Sequence, residues 1–208
     1  MNLLLIRHGQ TDWNIARRFQ GHSNVPLNEF GRKQAVALAD RLSAQHVDAV
    51  YSSDLERAIE TAKMIMDMSG SKPDLHSDSR LREINFGDWE GLSYNEIKEK
   101  YPEALLAREN DIYKNAPPNG ETLKQLTIRI QSVLDELNVK HQDQTVLIVA
   151  HGGVLQVLLC CVLKLNPTMY WQFHLSTASV SEIALYPDGA ILNVMNDTSH
   201  LEKNIWDK

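Results

Sequence analysis

Two apolar runs without polar alternation mark this chain, and each ends in a histidine followed by glycine: LLLIRHG at 3–9 and TVLIVAHGG at 145–153. Uninterrupted runs of this length predict strands buried on both faces, the kind found in parallel α/β sheets. Ligands bind at the carboxyl edge of such sheets, which is where Arg7, His8 and His151 fall. One strand-end histidine is as readily explained by a hydrogen bond to a loop carbonyl. Two of them, each leading into glycine, point to a shared site.

Elsewhere the apolar positions recur at helical spacing. Residues 10–28 read as a loop rich in side-chain donors, and Asn28 predicts an N-cap for a helix from about Glu29. Ala35, Leu38, Ala39 and Leu42 give that helix one buried face. A short strand over 48–51 leads to Ser53 and Glu56, an S-x-x-E capping box opening a second helix. Leu55, Ala58, Ile59, Ala62 and Ile65 form its inner stripe. Arg57 falls in its first turn, where the helix dipole disfavours a cation by about 0.3–1 kcal/mol. An anion in front of the helix would remove that conflict, and a surface pair with Glu60 or Asp54 is the structural alternative.

The segment 80–91, RLREINFGDWEG, is turn-rich, and a second capping box at Ser93 and Glu96 starts a short helix carrying Tyr94, Ile97 and Tyr101. Polar residues broken by Pro117, Pro118 and Gly120 then predict a small helical insertion over the site. Leu123, Leu126, Ile130, Val133, Leu134 and Leu137 share one face of a helix over 122–138, and a buried helix follows Gly153. Two runs, 180–186 and 190–195, flank Pro187, Asp188 and Gly189 and predict an antiparallel hairpin at the sheet edge. The expected fold is α/β: a mostly parallel central sheet with helices on both faces, one domain over 1–208, and a helical insertion at about 90–122.

Composition narrows the partners. A net charge of −6 gives no electrostatic footprint for nucleic acid. The apolar stretch 154–165 is too short to span a bilayer, and no basic run suits a membrane surface. The opening residues run straight into the first strand with no basic n-region or adequate apolar h-region, so no secretory signal is expected. Cys160 and Cys161 are adjacent, without disulfide or metal spacing, and read as buried apolar residues. These features suggest a cytoplasmic protein acting on a small molecule, with oligomeric state open.

Arg7, His8, Asn14, Arg57, Glu83 and His151 all fall at expected strand ends and helix starts. Two guanidiniums match phosphate oxygens in bidentate geometry. A neutral imidazole can attack phosphorus, and a carboxylic acid can protonate the leaving alkoxide. The second imidazole can stabilise charge on the equatorial oxygens. Neither H-E-x-x-H nor a D-x-D cluster is present, so no metal and no cofactor are expected. Of the remaining histidines, His46, His76, His141 and His200 read as solvated, whereas His22 and His174 are less clear. Spacing alone does not choose among Glu83, Asp88 and Glu90 as the acid.

Four ordered segments carry a resemblance: RHGQTDWN continued by FQGHSNVPLNEFGRKQA, SSDLERAIETA, LREINFGDWEG and VAHGG. Together they resemble the histidine phosphatases of the phosphoglycerate mutase-like superfamily, in its phosphatase branch, and are similar to broad-specificity and α-ribazole phosphatases. The resemblance implies that His8 becomes phosphorylated, that Arg7, Arg57 and His151 line the phosphate pocket, and that Asn14 adds a contact. It assigns Glu83 as acid and then base, through the pattern L-x-E before F-G, and leaves Glu90 a structural hydrogen bond. Gln20 and Gly21 fall where the family contacts the rest of its substrate, a small phosphate monoester. A cofactor-dependent phosphoglycerate mutase and a non-catalytic phosphate-binding module are the alternatives. The insertion offers Lys98, Lys100, Arg108 and Lys114 with no paired clamp, and Arg108, Tyr94, Tyr101 and Tyr113 are specificity candidates by location.

Overall fold

In the computed structural model, which describes residues 1–70 and 73–201, the first apolar run becomes strand β1 (Asn2–Arg7). It is followed by α1 (Asp12–Ile15), α2 (Glu29–Leu42), β2 (Ala49–Ser52), α3 (Glu56–Met68) and β3 (Leu75–Ser77). Next come α4 (Tyr94–Lys100), α5 (Pro102–Asn110) and α6 (Leu123–Lys140). The chain continues through β4 (Thr145–Ala150), α7 (Gly152–Val162), β5 (Val180–Tyr186) and β6 (Gly189–Asp197).

Side chains alternate across a strand, which splits the core in two. Leu3 and Leu5 join Val146 and Ile148 under α6 and α7, while Leu4 and Ile6 join Leu147 and Val149 under α2 and α3. Burial on both faces is why neither apolar run alternates with polar residues. The six strands run in the order β3-β2-β4-β1-β5-β6. Parallel pairing links β3, β2, β4 and β1, and the β5–β6 hairpin adds antiparallel at the other side of β1. This is the expected single α/β domain with a mostly parallel sheet, and the hairpin closes one edge as its turn chemistry predicts.

Most helix starts follow their local signals. The Asn28 side chain accepts from the Gly31 N–H, and Ser93 with Glu96 forms the expected capping box. The box expected at Ser53 does not form. Leu55 is the N-cap of α3, Ser53 Oγ accepts from the Leu55 N–H at 3.3 Å, and the Glu56 N–H instead reaches Asn24 Oδ1 at 2.8 Å. A loop residue 32 positions upstream thus caps the helix, a partner that no local pattern encodes. The donor-rich loop also contains α1, opened by a reciprocal bond pair between Thr11 and Asn14. His76 lies in β3 and is exposed, the solvated position expected of it. His200 is half-buried and bonds the Ala178 carbonyl at 3.0 Å, so it is not a solvated position. No helix among the described residues is long and apolar enough to cross a membrane.

Candidate active site

Pairing of β1 with β4 sets Arg7 opposite Ala150, so the next residues, His8 and His151, leave the sheet side by side. Their ring centroids are 5.0 Å apart at 60°. His8 is 3% exposed and His151 fully buried. The His8 Nδ1 lies 2.7 Å from the Gly9 carbonyl, which only accepts, so Nδ1 carries the proton and Nε2 the lone pair. His151 has the opposite tautomer. Its Nδ1 accepts from Arg57 Nε at 3.2 Å, leaving the proton on Nε2, a buried atom with no partner among the described residues. Burial, then the positive charge of Arg57, holds both imidazoles well below the usual histidine range, with Arg7 adding to this at His8. Both rings are therefore neutral near pH 7.

The glycine after His8 has a packing role. A Cβ on Gly9 would lie 2.5 Å from the Gly31 carbonyl, so its absence lets the strand end touch the start of α2.

Arg57 is fully buried in the first turn of α3. Its Nη1 donates to Ser23 O at 2.7 Å and its Nη2 to Gly21 O at 2.9 Å. Desolvation lowers its pKa to about 10, opposed by the nearby charges of Glu83 and Glu90. The surface pair that sequence offered as the alternative does not occur, because Glu60 bonds Arg32 and Asp54 bonds Arg82. Arg7 Nη1 donates to the Leu175 carbonyl at 2.6 Å.

The loop that holds Arg57 is itself held by Glu90. Its carboxylate accepts from the His22 N–H, the Ser23 N–H, the Ser23 hydroxyl and the Phe86 N–H, at 2.8, 2.7, 2.6 and 3.3 Å. That is the structural role expected for Glu90, built over a sequence separation of 67 residues.

Glu83 faces the start of α7. Its carboxylate accepts from the Ile84, Gly153 and Val154 N–H groups at 2.9, 3.1 and 3.2 Å. A Cβ at Gly153 would sit 2.7 Å from Glu83 Oε1, so glycine there admits the carboxylate. Asn14 gives its Oδ1 to the Thr11 N–H and hydroxyl, which leaves its Nδ2 hydrogens for the cavity it lines. Gln20 lines the same cavity with a buried Oε1 that has no partner among the described residues. Gly21 contributes its carbonyl to Arg57.

Thus Arg7, His8, Asn14, Gln20, Arg57 and Glu83 line one cavity of about 270 Å³, with His151 against His8 and Arg57. Sequence reasoning missed the wall formed by Arg17, Arg18, Phe19 and Phe86. Its signal was the consecutive cations in the donor-rich loop. The insertion candidates lie elsewhere. Arg108 is buried beneath Phe86 and Trp89, 5.8 and 6.0 Å from their ring centroids, and Tyr94 bonds Glu109 at the surface. His22 reaches the Glu83 carbonyl at 2.9 Å, and His174 is exposed beside Ser176. Among the described residues, no group of three or more His, Cys, Asp or Glu side chains is placed to hold a metal ion.

Two neutral imidazoles thus stand at adjacent strand ends, flanked by guanidiniums and one carboxylate, a set whose chemistry suits binding of a phosphate ester. Residues 3–198 match a family model, and the chain belongs to the histidine phosphatase superfamily (branch 1), a phosphoric monoester hydrolase by class. Phosphoserine phosphatase 1 of Hydrogenobacter thermophilus is 33% identical over 201 residues, covering 97% of this chain and 94% of the relative. The metal-independent phosphoserine phosphatase of Arabidopsis thaliana is 38% identical over 203 residues, covering 96% and 82%. Among solved structures, the α-ribazole phosphatase of Shigella flexneri has a TM-score of 0.88 at 32% identity, covering 95% and 96%.

Proposed function

We propose that this protein hydrolyses small phosphate monoesters through a covalent phosphohistidine on His8, without a metal ion. One observation carries the reading: the Nδ1–H of a buried, neutral His8 is tied to Gly9 O, so the Nε2 lone pair is the group presented to the cavity. In the first step Nε2 forms a bond to phosphorus while the ester P–O bond breaks, and Glu83 gives its proton to the departing alkoxide. Arg7, Arg57, Asn14 and the His151 Nε2–H bind the equatorial oxygens as they flatten. In the second step Glu83 takes a proton from water, the water oxygen bonds to phosphorus, and the P–N bond breaks. Inorganic phosphate leaves and His8 regains its lone pair. Three backbone N–H groups fix the Glu83 carboxyl at the start of α7, where it lines the cavity in both steps.

The cation set supplies what a metal would, and the name of the metal-independent Arabidopsis relative agrees with this reading. Among the described residues, none of Lys98, Lys100, Arg108 and Lys114 lines the cavity, so the insertion lends it no cation. That favours water over a retained alcohol as the second acceptor, and hence hydrolysis over isomerisation.

Rapid quench of the enzyme with a labelled monoester tests the intermediate. An acid-labile, base-stable label is expected on the wild type and none on His8→Ala, whose kcat/KM falls about a thousandfold or more. Full labelling of His8→Ala would refute the assignment.

A further inference from the structure

Residues 82–86 lie in neither helix nor strand, so no backbone ladder fixes the segment that carries Glu83. Its carboxylate meets the start of α7. The backbone behind that carboxylate is held by a different element, α6.

Arg129 lies in α6, next to the fully buried Ile130. Its Nη1 donates to the Arg80 carbonyl at 2.5 Å, and its Nη2 to the carbonyl of Glu83 itself at 2.9 Å. One planar guanidinium thus spans both ends of the turn from Arg80 to Glu83. Its orientation is set from the other side by Glu121, just ahead of the Thr122 N-cap. Glu121 accepts from Arg129 Nε at 3.1 Å and from Nη2 at 2.6 Å, a two-point grip that a single donor could not give. The same carboxylate accepts from the Asn85 N–H at 2.8 Å, and the Asn85 carbonyl accepts from the Glu121 N–H at 2.9 Å. The pair is shielded, with side chains 18% and 14% exposed. His22 Nε2 adds a second donor to the Glu83 carbonyl at 2.9 Å. Neither Arg129 nor Glu121 lines the cavity, so whatever they contribute reaches the chemistry through Glu83.

We propose that Arg129 is the positioning residue for proton transfer by Glu83: its fork, locked by Glu121, sets where the carboxyl stands relative to the departing oxygen. The inference rests on the phosphatase reading above, in which Glu83 protonates the leaving alkoxide. A displacement of about 1 Å at such a group costs up to about a hundredfold in rate.

The test reads the first chemical step, formation of the phosphoenzyme, by rapid quench with ethyl phosphate and with nitrophenyl phosphate. Ethoxide needs a proton to leave, whereas nitrophenolate does not. In Arg129→Gln the rate from ethyl phosphate should fall about 10- to 100-fold, and that from nitrophenyl phosphate by less than about threefold. Any loss of folded protein lowers both rates alike, so their ratio reports the placement of Glu83. Arg129→Lys keeps the charge but not the fork, so its ratio should lie between those of Arg129→Gln and wild type, and it carries the test if Arg129→Gln does not fold. Adding either substitution to Glu83→Gln should leave the ethyl phosphate rate within about twofold of Glu83→Gln alone, because the acid is already gone. No change, equal losses on both esters, or losses that multiply in the double variant overturn the assignment. Wild-type protein that forms no phosphoenzyme from either ester refutes the phosphatase reading itself. Glu83→Gln that slows both esters equally refutes Glu83 as the acid, and this inference falls with either result.

Discussion

At the scale of single residues, neutrality of the paired imidazoles governs how the protein responds to acid. Folding places His8 and His151 well below their ordinary value of 6.5. Between the folded value and 6.5 the unfolded chain binds more protons than the folded one, so stability rises with pH across that window. The contribution is complete above 6.5 and lost as pH falls through the folded values. We expect Tm to drop between about pH 7 and about pH 5, and to drop less in His8→Ala, which has one such group fewer. Calorimetry on both proteins checks this, and parallel profiles would contradict it. The same depression keeps the His8 lone pair available in mild acid, so the acid limb of kcat/KM should lie below pH 6.5. Arg57→Gln removes the second cause of the shift and should move that limb upward, along with lowering the rate.

At the scale of elements, the loop before α2 and the turn after Phe86 act as one unit because Glu90 joins them. Glu90→Ala strands several N–H donors, each costing about 1–3 kcal/mol where burial is complete and less here. It also frees the Gly21 and Ser23 carbonyls that hold Arg57. We expect lower Tm and lower kcat together, with Glu90→Gln, which keeps one acceptor oxygen, recovering part of both. Loss of Tm without loss of kcat would show that Arg57 is held by other means.

This unit also shows where sequence stops being readable. The two His-Gly strands, the Asn28 and Ser93 caps and the α6 stripe rest on contacts within a turn or on a simple period, and all were legible. Asn24 capping α3, Glu90 gathering residues 22 and 23, and Arg57 turned inward are bonds between segments 32 or more residues apart. Spacing could not separate Glu83 from Glu90 either. Only their partners do: α7 backbone for Glu83, and the 22–23 loop for Glu90.

For the molecule as a whole, the proposed mechanism draws its positive charge from Arg7 at the end of β1 and Arg57 at the start of α3. Exhaustive dialysis against a chelator should therefore leave turnover unchanged, and activity restored only by added metal would contradict the mechanism. Incubation with 3-phosphoglycerate should release inorganic phosphate with or without a bisphosphoglycerate primer. Primed formation of 2-phosphoglycerate that outruns phosphate release on every monoester tried would favour a mutase.

The position of β1 has a consequence for how the protein comes into being. Asn2 pairs with Thr145 on one side and Ala184 on the other, so β1 is synthesised 143 and 182 positions before its two neighbours. At roughly 5–20 residues per second, a bare apolar segment waits about ten seconds or more for β4 and longer for β5. His8 and His151 cannot meet before β4 is made, and Arg7 closes on Leu175 across 168 positions. Nascent chains halted before β4 should therefore expose β1 to chaperones and proteases, and catalytic competence should emerge abruptly, only when the hairpin has cleared the exit tunnel.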